Sequence, residues 1–203
     1  MNRRDFLTAG ALGTAALGVG GYALANRDEL AMARPGEPVA RRVRGIQGRR
    51  APDLDVATWF NLPAGATGVD LDDARYKDKV VYLYFFQSWC PGCHKSGFPT
   101  LQSVSSHFAK ADDVAFAAVQ TVFEGFGTNT ADKARSIQKR YKLDMPVGHD
   151  AGKGDSGSRV MRRYRSGGTP WTVIVDKSRI VRFNAFHIRP KSAIAFMERL
   201  RRG

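Results

Sequence analysis

The chain predicts an α/β fold in which helices flank a central mixed β-sheet, and three observations carry that reading. Val80 to Phe86 and Val114 to Val122 are short, continuous apolar runs, as expected of strands covered on both faces. Between them Phe98, Leu101, Val104, Ser105 and Phe108 recur at helical spacing. A right-handed crossover through that helix makes the two strands parallel neighbours or near-neighbours.

The remaining elements follow in order. Trp59 to Leu62 reads as a short strand, then come the turn-rich Pro63 to Gly68 and the polar Asp70 to Lys79. Pro99 predicts a kink in the first helix, because it lacks a backbone donor and clashes one turn back. Thr130 to Tyr141 is a helix with Thr130 as N-cap and Asp132 in its first turn. Pro146 to Gly148 is a short strand and Gly152 to Gly157 a flexible loop. Ser158 to Tyr164 is a helix bearing Arg159, Arg162 and Arg163. Trp171 to Val175 and Arg179 to Ala185, joined by the turn Asp176-Lys177-Ser178, form an antiparallel hairpin. Ile194, Phe196, Met197 and Leu200 line a closing helix whose C-terminal end carries Arg201 and Arg202, where cations are favourable. No internal repeat is present, and the order β-α-β-α-β-α-β-β-α is that of an α/β domain.

With 203 residues, 43% of them hydrophobic and 25% charged, the chain fits one ordinary domain plus extensions. The net charge of +13 favours acidic protein surfaces, anionic lipid or nucleic acid. No helix-turn-helix, zinc-finger or RNA-binding signature accompanies it, so nucleic acid is not expected as a partner. Residues 1–25 read as an address. Arg3-Arg4-Asp5-Phe6-Leu7 resembles the twin-arginine export signal, with Asn2 in place of the usual hydroxyl residue. The uncharged stretch Leu7 to Ala25 is rich in Gly and Ala, and Ala23-Leu24-Ala25 offers a cleavage site before Asn26. Ala31-Met32-Ala33 is a second such site, and an uncleaved membrane anchor is the alternative. Either way the domain lies outside the cytoplasmic membrane, in the periplasm or an equivalent compartment where disulfides persist. Loss of residues 1–25 removes two arginines and one aspartate, leaving about +12. Residues 26–50 mix seven arginines with Pro and Gly and read as a flexible basic linker. Its ordinary role is tether and solubiliser, and its sharper one is contact with anionic lipid headgroups. The folded domain is expected over residues 51–203.

The two cysteines of the chain stand in Trp89-Cys90-Pro91-Gly92-Cys93-His94, directly after the first buried strand. This spacing serves thiol redox chemistry, metal binding or, with His94, covalent haem attachment. One pair at this spacing points to chemistry more than to stapling. With Cys90 as N-cap, Pro91 falls at N1, where its missing donor and fixed φ suit a helix start. The helix's unpaired backbone donors then face the Cys90 sulfur and favour its thiolate. Cys90 would attack a substrate disulfide, and Cys93, one turn on and less exposed, would resolve the mixed disulfide.

A strand ending in Phe85-Phe86, then Trp89-Cys90-x-x-Cys93 opening a helix, then Gly168-Thr169-Pro170 before a hairpin, resembles the thioredoxin superfamily. With the polar lead-in, the helical insertion at Thr130 to Tyr141 and the export signal, the chain looks like an exported TlpA-type thiol-disulfide oxidoreductase. The resemblance covers residues from about Ala51 to the C-terminus, and its two motifs lie about 80 residues apart. It implies a thioredoxin-like fold with a helical insertion before the cis-proline half. It implies a redox-active Cys90–Cys93 disulfide with no further cofactor or metal, and a Thr169-Pro170 cis-proline loop facing the cysteines. The Thr169 backbone would pair with substrate, Trp89 would rim the sulfurs, and Trp171 would either join that rim or be a core residue at the start of its strand. It further implies disulfide-containing exported proteins as substrates and a membrane-embedded electron donor, with reduction the expected direction.

Two positions depart from the family. Tyr84 stands where many relatives bury an Asp, and Ser96 where some exported reductases carry a Glu. Glu124, after the second strand, is either the acid at hand for a proton relay or a solvated loop residue. His94 either stabilises the thiolate as a partial cation or sits solvated on the first turn. Two rival readings use the same cysteines. A c-type haem protein would take Met145 or Met161 as axial ligand, and a copper or zinc metallochaperone would add His187 or His94.

Overall fold

A computed structural model describes residues 44–152 and 157–203 of the chain. The export signal, both cleavage sites, most of the basic linker and residues 153–156 of the Gly152 to Gly157 loop lie outside the described residues. The elements are β1 (Thr58–Phe60), β2 (Val80–Phe86), α1 (Phe98–His107), β3 (Val114–Thr121), α2 (Ala131–Arg140), β4 (Val147–Asp150), α3 (Arg159–Tyr164), β5 (Trp171–Val175), β6 (Val181–Ala185) and α4 (Pro190–Arg202). A five-residue π-helical turn, Cys93–Gly97, leads directly into α1.

The sheet has six strands in the order β1-β4-β3-β2-β5-β6. β2, β3 and β4 run parallel, while β1, β5 and β6 are antiparallel to their neighbours. The parallel pairing of β2 with β3 is the βαβ unit expected from the two apolar runs. Successive side chains of a strand point to opposite faces, and β2 is buried along its whole length. Val80, Tyr82, Tyr84 and Phe86 join one core with Cys90, Cys93, Phe98, Leu101 of α1 and Met197 of α4. Val81, Leu83 and Phe85 join the other with Val160 and Tyr164 of α3 and Trp171, Val173 and Val175 of β5. Burial on both sides explains why this strand is an unbroken apolar run.

The strand Arg179 to Ala185 begins later than its sequence suggests, at Val181. Arg179 sits in the turn with φ 62°, and its buried side chain pairs with Asp53 and Asp72. The linker's last residues also differ from expectation. From residue 44 the chain already packs on the domain: Gly48 N–H donates to Val181 O at 2.8 Å, Arg50 bridges to Ile180 and Ile46 is buried. The free edge of β6 supplies backbone partners and the second core supplies apolar cover, so these seven residues belong to the domain.

Pro99 produces a widened turn in place of a simple kink. Phe98 N–H bonds to Cys93 O, five residues back, and Pro99 falls within the first turn of α1, where a missing donor costs little. Helix α2 starts where expected, with the Thr130 side chain accepting from Lys133 N. Thr130→Ala should lower unfolding free energy in urea by about 1 kcal/mol. No change would mean that the cap does not hold this helix.

Candidate active site

The loop from β2 delivers Cys90 to the start of a helix. Pro91 and Gly92 are helical, and Cys93 N–H donates to Cys90 Sγ at 3.2 Å. Cys90 is therefore the N-cap, with its sulfur in the place of a capping side-chain oxygen. Both cysteines are free thiols. Cys90 keeps a little exposure and Cys93 none.

The two sulfurs are pushed in opposite directions. The Cys93 thiol beside it, more than any other group, brings the Cys90 pKa down to about 6. The Thr169 side chain and the Cys93 and Gly92 backbone donors add to this against the opposing cost of burial. Burial, then the Cys90 sulfur, push the Cys93 thiol far up, so its proton is held tightly. Such an asymmetric pair has one nucleophile ready at neutral pH and one held in reserve.

The Thr169–Pro170 peptide is cis, and the loop carrying it faces the cysteines. Thr169 O lies 3.5 Å from Cys90 Sγ, and a methyl group at Gly92 would sit 3.1 Å from Pro170 Cδ. A side chain at this position would therefore press on the loop, which would have to give by a few tenths of an ångström. Trp89 is exposed beside Cys90.

Of its two expected places Trp171 takes the core and does not rim the sulfurs. It is buried in the second core, with its Nε1 donating to Asn184 Oδ1. Phe186, 41% exposed, packs edge-on against it with ring centroids 4.8 Å apart and lies close to Gly168. The exposed large apolar side chains among the described residues are Trp89, Phe126 and Phe186. Phe126 follows Gly125, which neighbours Trp89. Trp89 thus lies beside the loop that carries Phe126, and Phe186 lies beside the cis-proline loop. Phe126 and Phe186 carry no sequence signal, since lone aromatics in loops are read as solvated or as core.

His94 takes neither role considered for it. Its Nε2 lies 2.7 Å from Ser88 O and its Nδ1 2.6 Å from the Tyr141 hydroxyl. A carbonyl only accepts, so Nε2–H donates to Ser88 O, and Nδ1 pairs with the Tyr141 hydroxyl. The ring fastens the Cys90 loop to the end of α2, while Tyr141 stacks on Phe98 at 4.2 Å. A second fastener was not visible in sequence: Asn129 Oδ1 accepts from Ser88 N and Oγ at 2.9 Å each. Its Nδ2 donates to Glu124 O at 3.0 Å. Glu124 contributes that carbonyl, and its side chain is exposed in the loop after β3, apart from the groups that act most on the sulfurs. Ser96 Oγ donates to Gly92 O within the helical turn.

The haem and metal readings find little here. Both ring nitrogens of His94 are engaged, and Met145 is buried in the first core. Among the described residues the one group spaced to hold a metal is the exposed Asp53, Asp70 and Asp72. It contains neither cysteine, and Asp53 and Asp72 pair with Arg179.

Comparison with known proteins agrees with this geometry. A family model described as Redoxin matches residues 46–194. The crystal structure of a thioredoxin-like superfamily protein is 32% identical, with a TM-score of 0.67 over 74% of this chain and 95% of that one. A thiol-disulfide isomerase from Corynebacterium glutamicum is 26% identical, with a TM-score of 0.62 over 74% of this chain and 96% of that one. A putative DsbE thiol:disulfide interchange protein from Chlorobium tepidum shares the fold at 24% identity, with a TM-score of 0.57 over 78% and 99% of the two chains. No curated protein matches the chain. The fold is thioredoxin-like: a mixed six-stranded sheet flanked by helices, as the sequence predicts.

Alkylation of Cys90 by iodoacetamide should rise with pH through a midpoint of about 6, while Cys93 stays unlabelled in the folded protein. A midpoint at the ordinary thiol value of 9.0 would refute the asymmetry. The reduced protein should also respond to pH in its stability. Cys90, depressed in the fold, contributes stability that is present above the ordinary value of 9.0 and lost as pH falls through about 6. Cys93, raised in the fold, contributes the opposite slope, lost as pH rises above 9.0. Urea titrations of the reduced form from pH 5 to pH 10, roughly spanning these values, read both limbs.

Proposed function

The chain belongs to the redoxin family, and from that premise we propose that it is a thiol-disulfide oxidoreductase working as a reductase of exported proteins. The observation that carries the reading is the pairing of a low-pKa Cys90 with a protonated, buried Cys93 across one helical turn. The Cys90 thiolate attacks one sulfur of a substrate disulfide, and the other substrate sulfur leaves and takes up a proton. Cys93 then attacks the Cys90 sulfur of the mixed disulfide. Its proton ends on the released substrate thiol, and the chain is left with a Cys90–Cys93 disulfide. Two electrons have passed to the substrate, and a membrane-embedded dithiol donor would restore the pair.

The direction is supported by the degree of activation. A Cys90 pKa of about 6 stands nearer the value of about 7 for thioredoxin, a reductant, than the roughly 3.5 for DsbA, an oxidant. A less stabilised thiolate gives up its electrons more readily. Export is supported by the twin-arginine resemblance at Arg3 and Arg4 and by chemistry suited to a compartment where disulfides persist. The exposed apolar side chains of Trp89, Phe126 and Phe186 suit an extended, apolar segment of a substrate chain. The arginines of residues 26–50 would hold the domain near anionic headgroups.

The midpoint potential of the Cys90–Cys93 pair should lie nearer the thioredoxin value of about −270 mV than the DsbA value of about −120 mV. A potential at the oxidant end overturns the reductase direction. In extracytoplasmic extracts Cys93→Ser should trap mixed disulfides that dithiothreitol releases, and Cys90→Ser should trap none. Equal trapping by the two variants would reverse or abolish the assigned roles.

A further inference from the structure

Reduction through this pair leaves one step without a helper: Cys93 must attack as a thiolate although burial holds its proton. The carboxylates that serve relatives are replaced by Tyr84 and Ser96, and Ser96 is committed to Gly92 O. Tyr84 lies on the face of β2 that packs against the cysteine helix. Its hydroxyl reaches the space over Gly97, where a methyl group would collide with it and also approach Pro170 Cβ to 3.1 Å. Cys93 and Gly97 are four residues apart, at the two ends of the same π-helical turn. Side chains at that spacing share a helix face.

The Tyr84 hydroxyl is fully buried and has no hydrogen-bond partner in the dithiol. Its neighbour Tyr82, two residues back on the same face, is paired with Thr172 Oγ1 at 3.3 Å. A buried hydroxyl without a partner is costly and rare, and Cys93 is the polar group that acts on it most. The two interact without forming a full hydrogen bond while Cys93 remains a thiol. The ring is held by Phe98, edge-on at 5.3 Å, and by Phe86, stacked at 6.0 Å.

We infer that Tyr84 donates its hydroxyl hydrogen to the Cys93 sulfur as that sulfur becomes a thiolate, and so assists resolution of the mixed disulfide. The inference rests on the redox reading above. Tyr84 acts as a donor and not as a base, because burial raises its own pKa well above the ordinary phenol. The Cys93 proton passes to the leaving substrate sulfur, and the Tyr84 O–H bond stays intact throughout. A hydrogen bond to an ionised acceptor is about twice as strong as a neutral one, so the donor favours the thiolate over the thiol. The other titratable groups facing this pair are Cys90 and Tyr82.

Ellman's reagent separates the steps, since Cys90 attack releases the first thionitrobenzoate and Cys93 resolution the second. In rapid mixing, Tyr84→Phe should slow the second release by roughly tenfold, as expected for one charge-assisted bond, and move its pH profile upward. The first release should keep its rate and its pH midpoint. Fluorotyrosine at position 84 keeps the shape of the residue and has a more acidic hydroxyl, so it should speed the second release. An unchanged second phase in both variants overturns the inference while leaving the redox reading intact. Absence of a second release in the unaltered protein, with Cys90 left as the mixed disulfide and Cys93 still a thiol, overturns both. A Tyr84→Phe protein that melts early yet resolves at the normal rate also counts against the donor role.

Discussion

The backbone N–H of Cys93 points at the Cys90 sulfur from 3.2 Å, and the chemistry of the site depends on holding that geometry. The bond exists because Cys90 caps a helix whose next residue, Pro91, has no donor to leave unpaired. The same turn that gives Cys90 its donors carries Cys93 inward, into the first core. One local structure therefore makes one sulfur acidic and holds the proton on the other. β2 supports it from behind. Because that strand is buried on both faces, its end cannot shift without disturbing two cores at once.

Close approach on the far side closes the site. Pro170 packs against Gly92 and Gly97, so the loop that follows α3 and the helix that follows β2 are held at backbone distance. The widened turn Cys93–Gly97 absorbs Pro99 and leaves the space over Gly97 to the Tyr84 hydroxyl. Polar fasteners stiffen the approach: His94 ties Ser88 to Tyr141, and Asn129 ties Ser88 to the loop after β3. Loops that carry reactive groups are held in this way by the scaffold beneath them.

Trp89 is exposed beside Cys90 and Phe186 beside Gly168, with the Arg44 guanidinium 5.9 Å from the Phe186 ring centroid. Arg179, Asp53 and Asp72 form a separate ionic cluster that joins the first residues of the domain to the β5–β6 turn. Arg201 joins the end of α4 to Asp113 before β3. The Arg179 side chain is buried while its carboxylate partners stay exposed, and the positions of these pairs tie chain segments to the sheet.

Much of the domain was legible in the sequence because its signals are local. Apolar runs marked β2 and β5 to the residue, Thr130 marked its helix, and the Cys90–Cys93 spacing after a buried strand marked the reactive pair. The linker's end, the start of β6 and the place of Trp171 were not legible. Each depends on which distant surface offers a partner: the β6 edge for Arg50, Asp53 and Asp72 for Arg179, and Asn184 for Trp171. The sequence by itself determined the fold class and the cysteine that caps the helix, since burial pattern and helix capping are properties of neighbouring residues. The tertiary structure alone decided that His94 is a fastener, that Phe186 stands beside the cis-proline loop while Trp171 is buried, and that the Tyr84 hydroxyl lies over the cysteine helix. Those assignments require atoms far apart in the chain to meet, and no spacing rule records which of them will.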